Sequence, residues 1–215
     1  MNSMCKPQQK VLTLPRGYLS PSAIDTWKRD PEKYIRHYFY GEPNTFENDS
    51  TRFGTMFDDA RAGDRKHDDP IIEMLLNTLP ALGKPKITIT ASLPSKFGNI
   101  PLLGELDDYN PKTHDFDEYK TGMRKWTQNL ANKQHQILFY QLMLWLNHDV
   151  LDNKKSLIWV ETKRDDRGDI CPTGKVMTFP VEVTLTQLLK FSREIINVAH
   201  EISEFYKDTI NKTVL

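Results

Sequence analysis

From Ile137 to Leu146 the chain reads Ile-Leu-Phe-Tyr-Gln-Leu-Met-Leu-Trp-Leu, apolar almost all round at helical spacing. A helix with no face to give to water has to be covered, by a sheet on one side and by other helices on the other. The flanking sequence supplies those layers. Lys86-Ile-Thr-Ile-Thr-Ala91 alternates at period two and predicts a first strand. Leu102 to Gly122 holds two strand-like runs around an Asn110-Pro111 turn signal and predicts a β-hairpin carrying strands two and three. Ser156 to Thr162 predicts a fourth strand, and Lys175 to Val183 a fifth. Helices are expected at Ser20-Pro21 and Asp30-Pro31, each an N-cap followed by a first-turn proline. Others are expected from Thr51, over Ile71 to Leu79, over Gln128 to Asn147, and from the capping box Thr184-Leu-Thr-Gln187 to about Lys207. The order helix, three strands, helix, strand is that of an α/β domain.

A chain of 215 residues suits one domain better than two. Residues 1–215 are therefore read as a single domain, with 1–17, polar and interrupted by Pro7 and Pro15, as a loosely held arm. Lys plus Arg and Asp plus Glu number 29 each, so the net charge is zero and bulk electrostatics does not hold a polyanion. No segment reads as a secretory signal or a membrane span, which makes the cytoplasm the expected compartment and leaves no membrane partner. Cys5 and Cys171 lack metal-ligand spacing, in keeping with a reducing environment.

The hairpin carries the chemistry. Side chains alternate along a strand, so Glu118 and Lys120 share one face while Asp117 and Tyr119 share the other. Asp107 or Asp108 on the preceding strand stands at a height to join them, the choice depending on a register that sequence does not give. Two carboxylates beside an ammonium suit phosphodiester hydrolysis. A hard cation such as Mg²⁺ needs only one or two protein carboxylates when waters and phosphate oxygens complete its shell. The lysine then positions or activates the attacking water, or stabilises charge on the phosphoryl group. The competing reading is an exposed hairpin with ordinary surface charges.

Several patterns in order favour the first reading. Gly104-Glu-Leu-Asp107, Glu118-Tyr-Lys120-Thr-Gly122 and Gln136-Ile-Leu-Phe-Tyr140 follow one another. Upstream stand Ser20-Pro-Ser22 and Gly54-Thr-Met-Phe-Asp58. Together they resemble the RecB-like exonuclease branch of the PD-(D/E)xK nuclease superfamily, with its G-x-x-D, D/E-x-K-T-G and Q-x-x-x-Y motifs. The resemblance spans Ser20 to Tyr140. It implies a restriction-endonuclease-like core, a central mixed sheet of about five strands flanked by helices, with an N-terminal helical segment. It also implies Asp107, Glu118 and Lys120 as catalytic residues, and Asp107, Glu118, Asp58 and the Tyr119 carbonyl around Mg²⁺ or Mn²⁺. Gln136 and Tyr140 then shape the substrate site. Asp58 occupies a slot where the family often has histidine, and Asp59 is an alternative to it. Some relatives place a cluster-binding cysteine where this chain has Asp30, so no iron–sulfur cluster is expected.

Ser20, Ser22, Arg124, Lys125 and Trp126 are candidate nucleic-acid contacts, and Phe46 a candidate partner contact. A plain connector is the competing reading of residues 123–127 and the one favoured for that segment. The expected function is a metal-dependent DNA nuclease. An exonuclease working on single-stranded or duplex ends in recombination, repair, replication or phage genome processing is the main expectation, in the host cytoplasm if phage-encoded. A structure-specific endonuclease and a non-catalytic nucleic-acid or protein-binding module on the same fold are the alternatives. The sequence gives no oligomeric state.

Overall fold

A computed structural model describes residues 10–43, 48–63 and 65–213. Phe46 and Cys5 lie outside them. Five strands, β1 (Lys84–Leu93), β2 (Ile100–Tyr109), β3 (Phe116–Gly122), β4 (Lys155–Arg164) and β5 (Ile170–Pro180), lie side by side in sequence order in one mixed sheet. Neighbours run antiparallel except β3 and β4, which are parallel. A parallel pair needs a crossover connection. Here it is made by α5 (Gln128–Ala131) and α6 (His135–His148). The fold expectation of a mixed sheet of about five strands flanked by helices, with an N-terminal helical segment, is met.

Two apolar clusters sandwich the sheet. On one face α6 and the closing helix α7 (Leu185–Thr213) bury Ile137, Phe139, Leu142, Leu188, Ile195 and Ile202 against Leu102, Leu106 and Trp159. Each such side chain contributes roughly 1.5–3 kcal/mol when taken fully out of water. On the other face α3 (Asp49–Ala62) and α4 (Pro70–Thr78) pack Phe53, Phe57, Leu75 and Leu76 against Tyr119, Ile158 and Val160. The capping box that opens α7 is present: the Gln187 N–H donates to Thr184 Oγ1 at 3.3 Å, and the Thr184 N–H donates to Gln187 Oε1 at 2.7 Å.

Three expectations need correction. The helix expected over Gln128–Asn147 is broken. After Ala131 the bonding tightens, with the Lys133 N–H donating to the Leu130 carbonyl and the Gln134 N–H to that of Ala131, before α6 starts afresh. Gln136 therefore sits in the first turn of α6, not in the body of a long helix. The segment from Lys10 to Gly17 is not loosely held. Leu12 and Leu14, alternating at strand spacing, are buried, and the Leu12 N–H donates to the Asn99 carbonyl at 2.9 Å. Just beyond, Leu19 bridges to Leu102 beside β2. The closing helix continues past Lys207 to Thr213.

The N-terminal helices α1 (Pro21–Arg29) and α2 (Pro31–Tyr34) start at Ser20 and Asp30, whose side chains accept from the Ala23 and Lys33 N–H groups. A π-helical turn over Ile35–Phe39 follows. Ile24 and Tyr34 are buried, and Tyr38 stacks on Tyr34 at 4.4 Å between centroids. No helix among the described residues is long and apolar enough to cross a membrane.

Glycine is required at position 104 by close approach. A Cβ there would stand 2.8 Å from a ring carbon of Tyr140 and 3.2 Å from the Met143 sulfur, both on α6. Gly104→Ala is expected to destabilise the domain by about 1–3 kcal/mol through overpacking, measured as a lower melting temperature. An unchanged melting temperature would show that α6 yields to the added methyl.

Candidate active site

Side chains around the exposed end of β3 come from four elements. The register Asp108↔Asp117 settles the choice left open by the sequence. Asp108 is buried on the far side of the seam, where its carboxylate accepts from the Leu82 N–H at 3.0 Å and the Gly83 N–H at 3.3 Å. It therefore holds a loop. Asp107 points into the site.

The β2–β3 ladder contains only the pairs Asp108↔Asp117 and Tyr109↔Phe116, whereas β3 pairs with β4 along its whole length. Beyond Asp108 the two strands part. In the gap Asp107 Oδ2 takes the place of a ladder carbonyl, accepting from the Tyr119 N–H at 2.8 Å.

Glu118 and Lys120 lie on one face of β3, as alternation requires. Lys120 Nζ donates to Glu118 Oε1 and, at 2.7 Å, to Gln136 Oε1. Gln136 Nε2 stands 3.4 Å from the Tyr140 hydroxyl as its donor. Tyr140 in turn lies against Gly104, so the motif glycine, tyrosine, glutamine and lysine form one contact chain from β2 through α6 to β3. On the opposite face α3 crosses β3 closely: a Cβ at Gly54 would come within 3.1 Å of Thr121 Oγ1.

Burial and like charge dominate the electrostatics. Burial pushes the Asp107 carboxyl up to about 8, helped by the charges of Glu118 and Asp58 and opposed by the Tyr119 N–H and by Lys120. Burial also raises Glu118 against the pull of Lys120. Lys120 loses affinity for its proton through burial, yet Glu118, Asp107 and Asp58 more than offset this and leave it above the ordinary lysine range. Glu118 Oε2 is buried and has no hydrogen-bond partner among the described residues. A buried carboxylate oxygen without a donor, among acids that repel one another, is a place where a cation is stabilised.

Asp58 rather than Asp59 belongs to this group. Asp58 is the acid whose charge reaches Asp107, Glu118 and Lys120, and its side chain is about one-third exposed. Asp59 turns outward to pair with Lys86. Among the described residues no three His, Cys, Asp or Glu side chains converge closely enough to hold a metal by themselves. Asp107 and Glu118 fit the other kind of site, in which one or two carboxylates share a hard cation with waters and substrate oxygens.

Arg61 was missed in the sequence, where it reads as part of a solvent face with Arg65. Both do interior work. Arg65 Nη1 donates to the Leu76 and Leu79 carbonyls at the end of α4. Arg61 is buried, on the stripe Phe53–Phe57–Arg61 that recurs every fourth residue along α3. A cation on an apolar stripe was the available signal. Its Nε and Nη2 donate to Asp58 Oδ1 at 3.3 and 3.2 Å, Nη2 donates to the Asp107 carbonyl at 2.7 Å, and its guanidinium lies 4.2 Å from the centre of the Tyr119 ring.

An open cleft of about 530 Å³, lined by Ser50, Gly54, Asp58, Tyr119, Lys120 and Thr121, leads from solvent to these groups. Lys120 and Asp58 line it, whereas Asp107 and Glu118, the latter 1 % exposed, do not. Another cleft, of about 460 Å³, lies by Phe97 and His200, with Glu204 the only acid among its described lining residues. Arg124 and Lys125 are exposed immediately after β3, and Trp126 is half-buried against the core. Ser20 caps α1, and its hydroxyl lies 3.2 Å from that of Ser22.

No family model matches the chain, and no curated protein matches it. Among solved structures, a phage-related exonuclease from Haemophilus somnus 129PT is similar at 13% identity with a TM-score of 0.47, over 90% of this chain and 83% of that one. The protein SSO0001 is similar at 11% identity with a TM-score of 0.43, over 91% and 78%. Neither likeness bears on the chemistry of this chain.

Proposed function

We propose that the chain is a divalent-metal-dependent DNA nuclease of the RecB-like kind, acting as an exonuclease on DNA ends. One observation carries the reading: Glu118, whose buried Oε2 has no hydrogen-bond partner among the described residues, and Lys120 share a face of β3 beside Asp107 from β2, and Lys120 and Asp58 open onto a solvent cleft. Asp107 and Glu118 would hold Mg²⁺ or Mn²⁺, with Asp58 and the Tyr119 carbonyl as further oxygen donors. When bound, the cation polarises the scissile phosphate and lowers the pKa of a water.

The remaining work falls to the chain's own groups. Lys120, kept protonated by the surrounding acids, is an ammonium of fixed direction that orients the nucleophile and stabilises negative charge on the phosphoryl oxygens. Gln136 fixes that direction through its side-chain oxygen, and Tyr140 supports Gln136 from the next turn of α6. Arg124 and Lys125, exposed just after β3, are candidates to meet backbone phosphates.

The reading is tested by titrating Mg²⁺ and Mn²⁺ on end-labelled linear single-stranded and duplex DNA beside a covalently closed circle. Ion-dependent loss of the linear substrates with the circle intact is the expected result. Cutting of the circle would point to an endonuclease. No degradation of any substrate would leave the non-catalytic module, a reading to which the Arg61–Asp58 pair lends support because it engages one of the acids.

A further inference from the structure

Arg61 bonds to α3 through Asp58, to β2 through the Asp107 carbonyl, and covers the ring of Tyr119 on β3. These are the elements that bring the acids together. Its side chain is fully buried, and its Nη1 has no hydrogen-bond partner among the described residues, although the residue lines a small cleft with Arg65 and Asp108. A leucine on the Phe53–Phe57 stripe would pack there without the several kcal/mol cost of burying a cation. Simple packing therefore does not account for an arginine at this place.

We infer that Arg61 is a positioning residue that sets the cation affinity of the acid site by tying Asp58 to the backbone of Asp107. The inference rests on the reading of these acids as a divalent-cation site. Two properties of the guanidinium make it suited to the task. Its planar fork fixes the direction of Asp58 where a lysine would fix only distance. Its third contact, the flat approach to Tyr119, locks the fork against the strand that carries Glu118 and Lys120. Residues that orient metal ligands without touching the ion typically govern affinity by about 10- to 100-fold.

The test uses the full chain without DNA, reading Mn²⁺ binding by the electron paramagnetic resonance of the free ion. Wild type, Arg61→Lys, Arg61→Met, Asp58→Asn and the double variant Arg61→Lys/Asp58→Asn are compared. Arg61→Lys is expected to weaken Mn²⁺ binding about 10- to 100-fold. The double variant is expected to bind no more weakly than Asp58→Asn alone, because Arg61 acts through Asp58. Should Arg61→Met fail to fold, the lysine variant and the double variant still decide.

Wild-type affinity in folded Arg61→Lys, or fully additive losses in the double variant, would overturn the inference. DNA cleavage followed in parallel separates it from the functional reading. A wild type that binds Mn²⁺ but cuts nothing removes the nuclease and leaves the Arg61 role standing, provided the variants bind as expected. A wild type that cuts while Arg61→Lys shows unchanged Mn²⁺ dependence removes the Arg61 role alone. A wild type that binds no Mn²⁺ overturns both.

Discussion

Lys120→Ala is expected to lower the proposed DNA cleavage by roughly 10²–10³-fold at saturating divalent ion, the usual loss when one preorganised charge donor is removed. The same change lowers the stability of the metal-free protein. Glu118 is almost fully buried, and Lys120 is the donor bonded to it, so truncation leaves a carboxylate without its ammonium. Mn²⁺ is expected to restore the melting temperature of this variant but not its cleavage. That combination separates loss of chemistry from loss of fold. Cleavage within a few-fold of wild type would remove Lys120 from the mechanism, whatever its effect on stability.

Asp107→Asn is expected to abolish the proposed cleavage and to make the metal-free protein more stable. The Asp107 carboxyl is pushed up to about 8 in the fold, chiefly by burial and then by Glu118 and Asp58, against an ordinary value near 3.8. The native state therefore holds this proton more tightly than the unfolded chain between about pH 4 and pH 8. Stability falls as pH rises through that window, and the penalty is complete only above it. Asparagine keeps an oxygen for the Tyr119 N–H and has no charge to bury. In the presence of a chelator the gain is roughly 2–4 kcal/mol at neutral pH and vanishes near pH 4. Chemical denaturation of both proteins across this range measures it. A variant less stable than wild type at pH 8 would mean that the carboxylate is better compensated than its surroundings indicate. Activity and stability are thus expected to move in opposite directions at one residue.

Much of the architecture is legible in the sequence because the signals there are local. The period-two run at Lys86, the Ser20-Pro21 and Asp30-Pro31 caps and the Thr184–Gln187 box each depend on neighbours a few residues away. The pairing of Glu118 with Lys120 is likewise a property of any strand. What sequence does not give is set across elements. Whether Asp107 or Asp108 enters the site depends on a register in which Asp108 faces Asp117 and reaches back to the Leu82–Gly83 turn. Gly104 reads as a motif letter, and only the Tyr140 ring lying over it explains the missing side chain. Arg61 looks like a surface charge until α3 is laid on β3. The break between α5 and α6 leaves no mark in composition, since Asn132, Lys133 and Gln134 are all acceptable in a helix.

The parting of β2 from β3 divides the sheet into unequal cooperative units. Strands β3, β4 and β5 are knit by long ladders, that of β4 with β5 shifting register once between Val160 and Thr162, whereas β1 and β2 pair with β3 through two residue pairs and one carboxylate. Fluctuations that open this seam cost less than global unfolding, as sub-global openings generally do. Because Asp107 and Glu118 stand on opposite banks, the first thing such an opening disperses is the pair of acids proposed to share a cation. Heat is then expected to abolish the proposed activity before it melts the domain, with hydrogen exchange at the Tyr119 amide reporting the threshold.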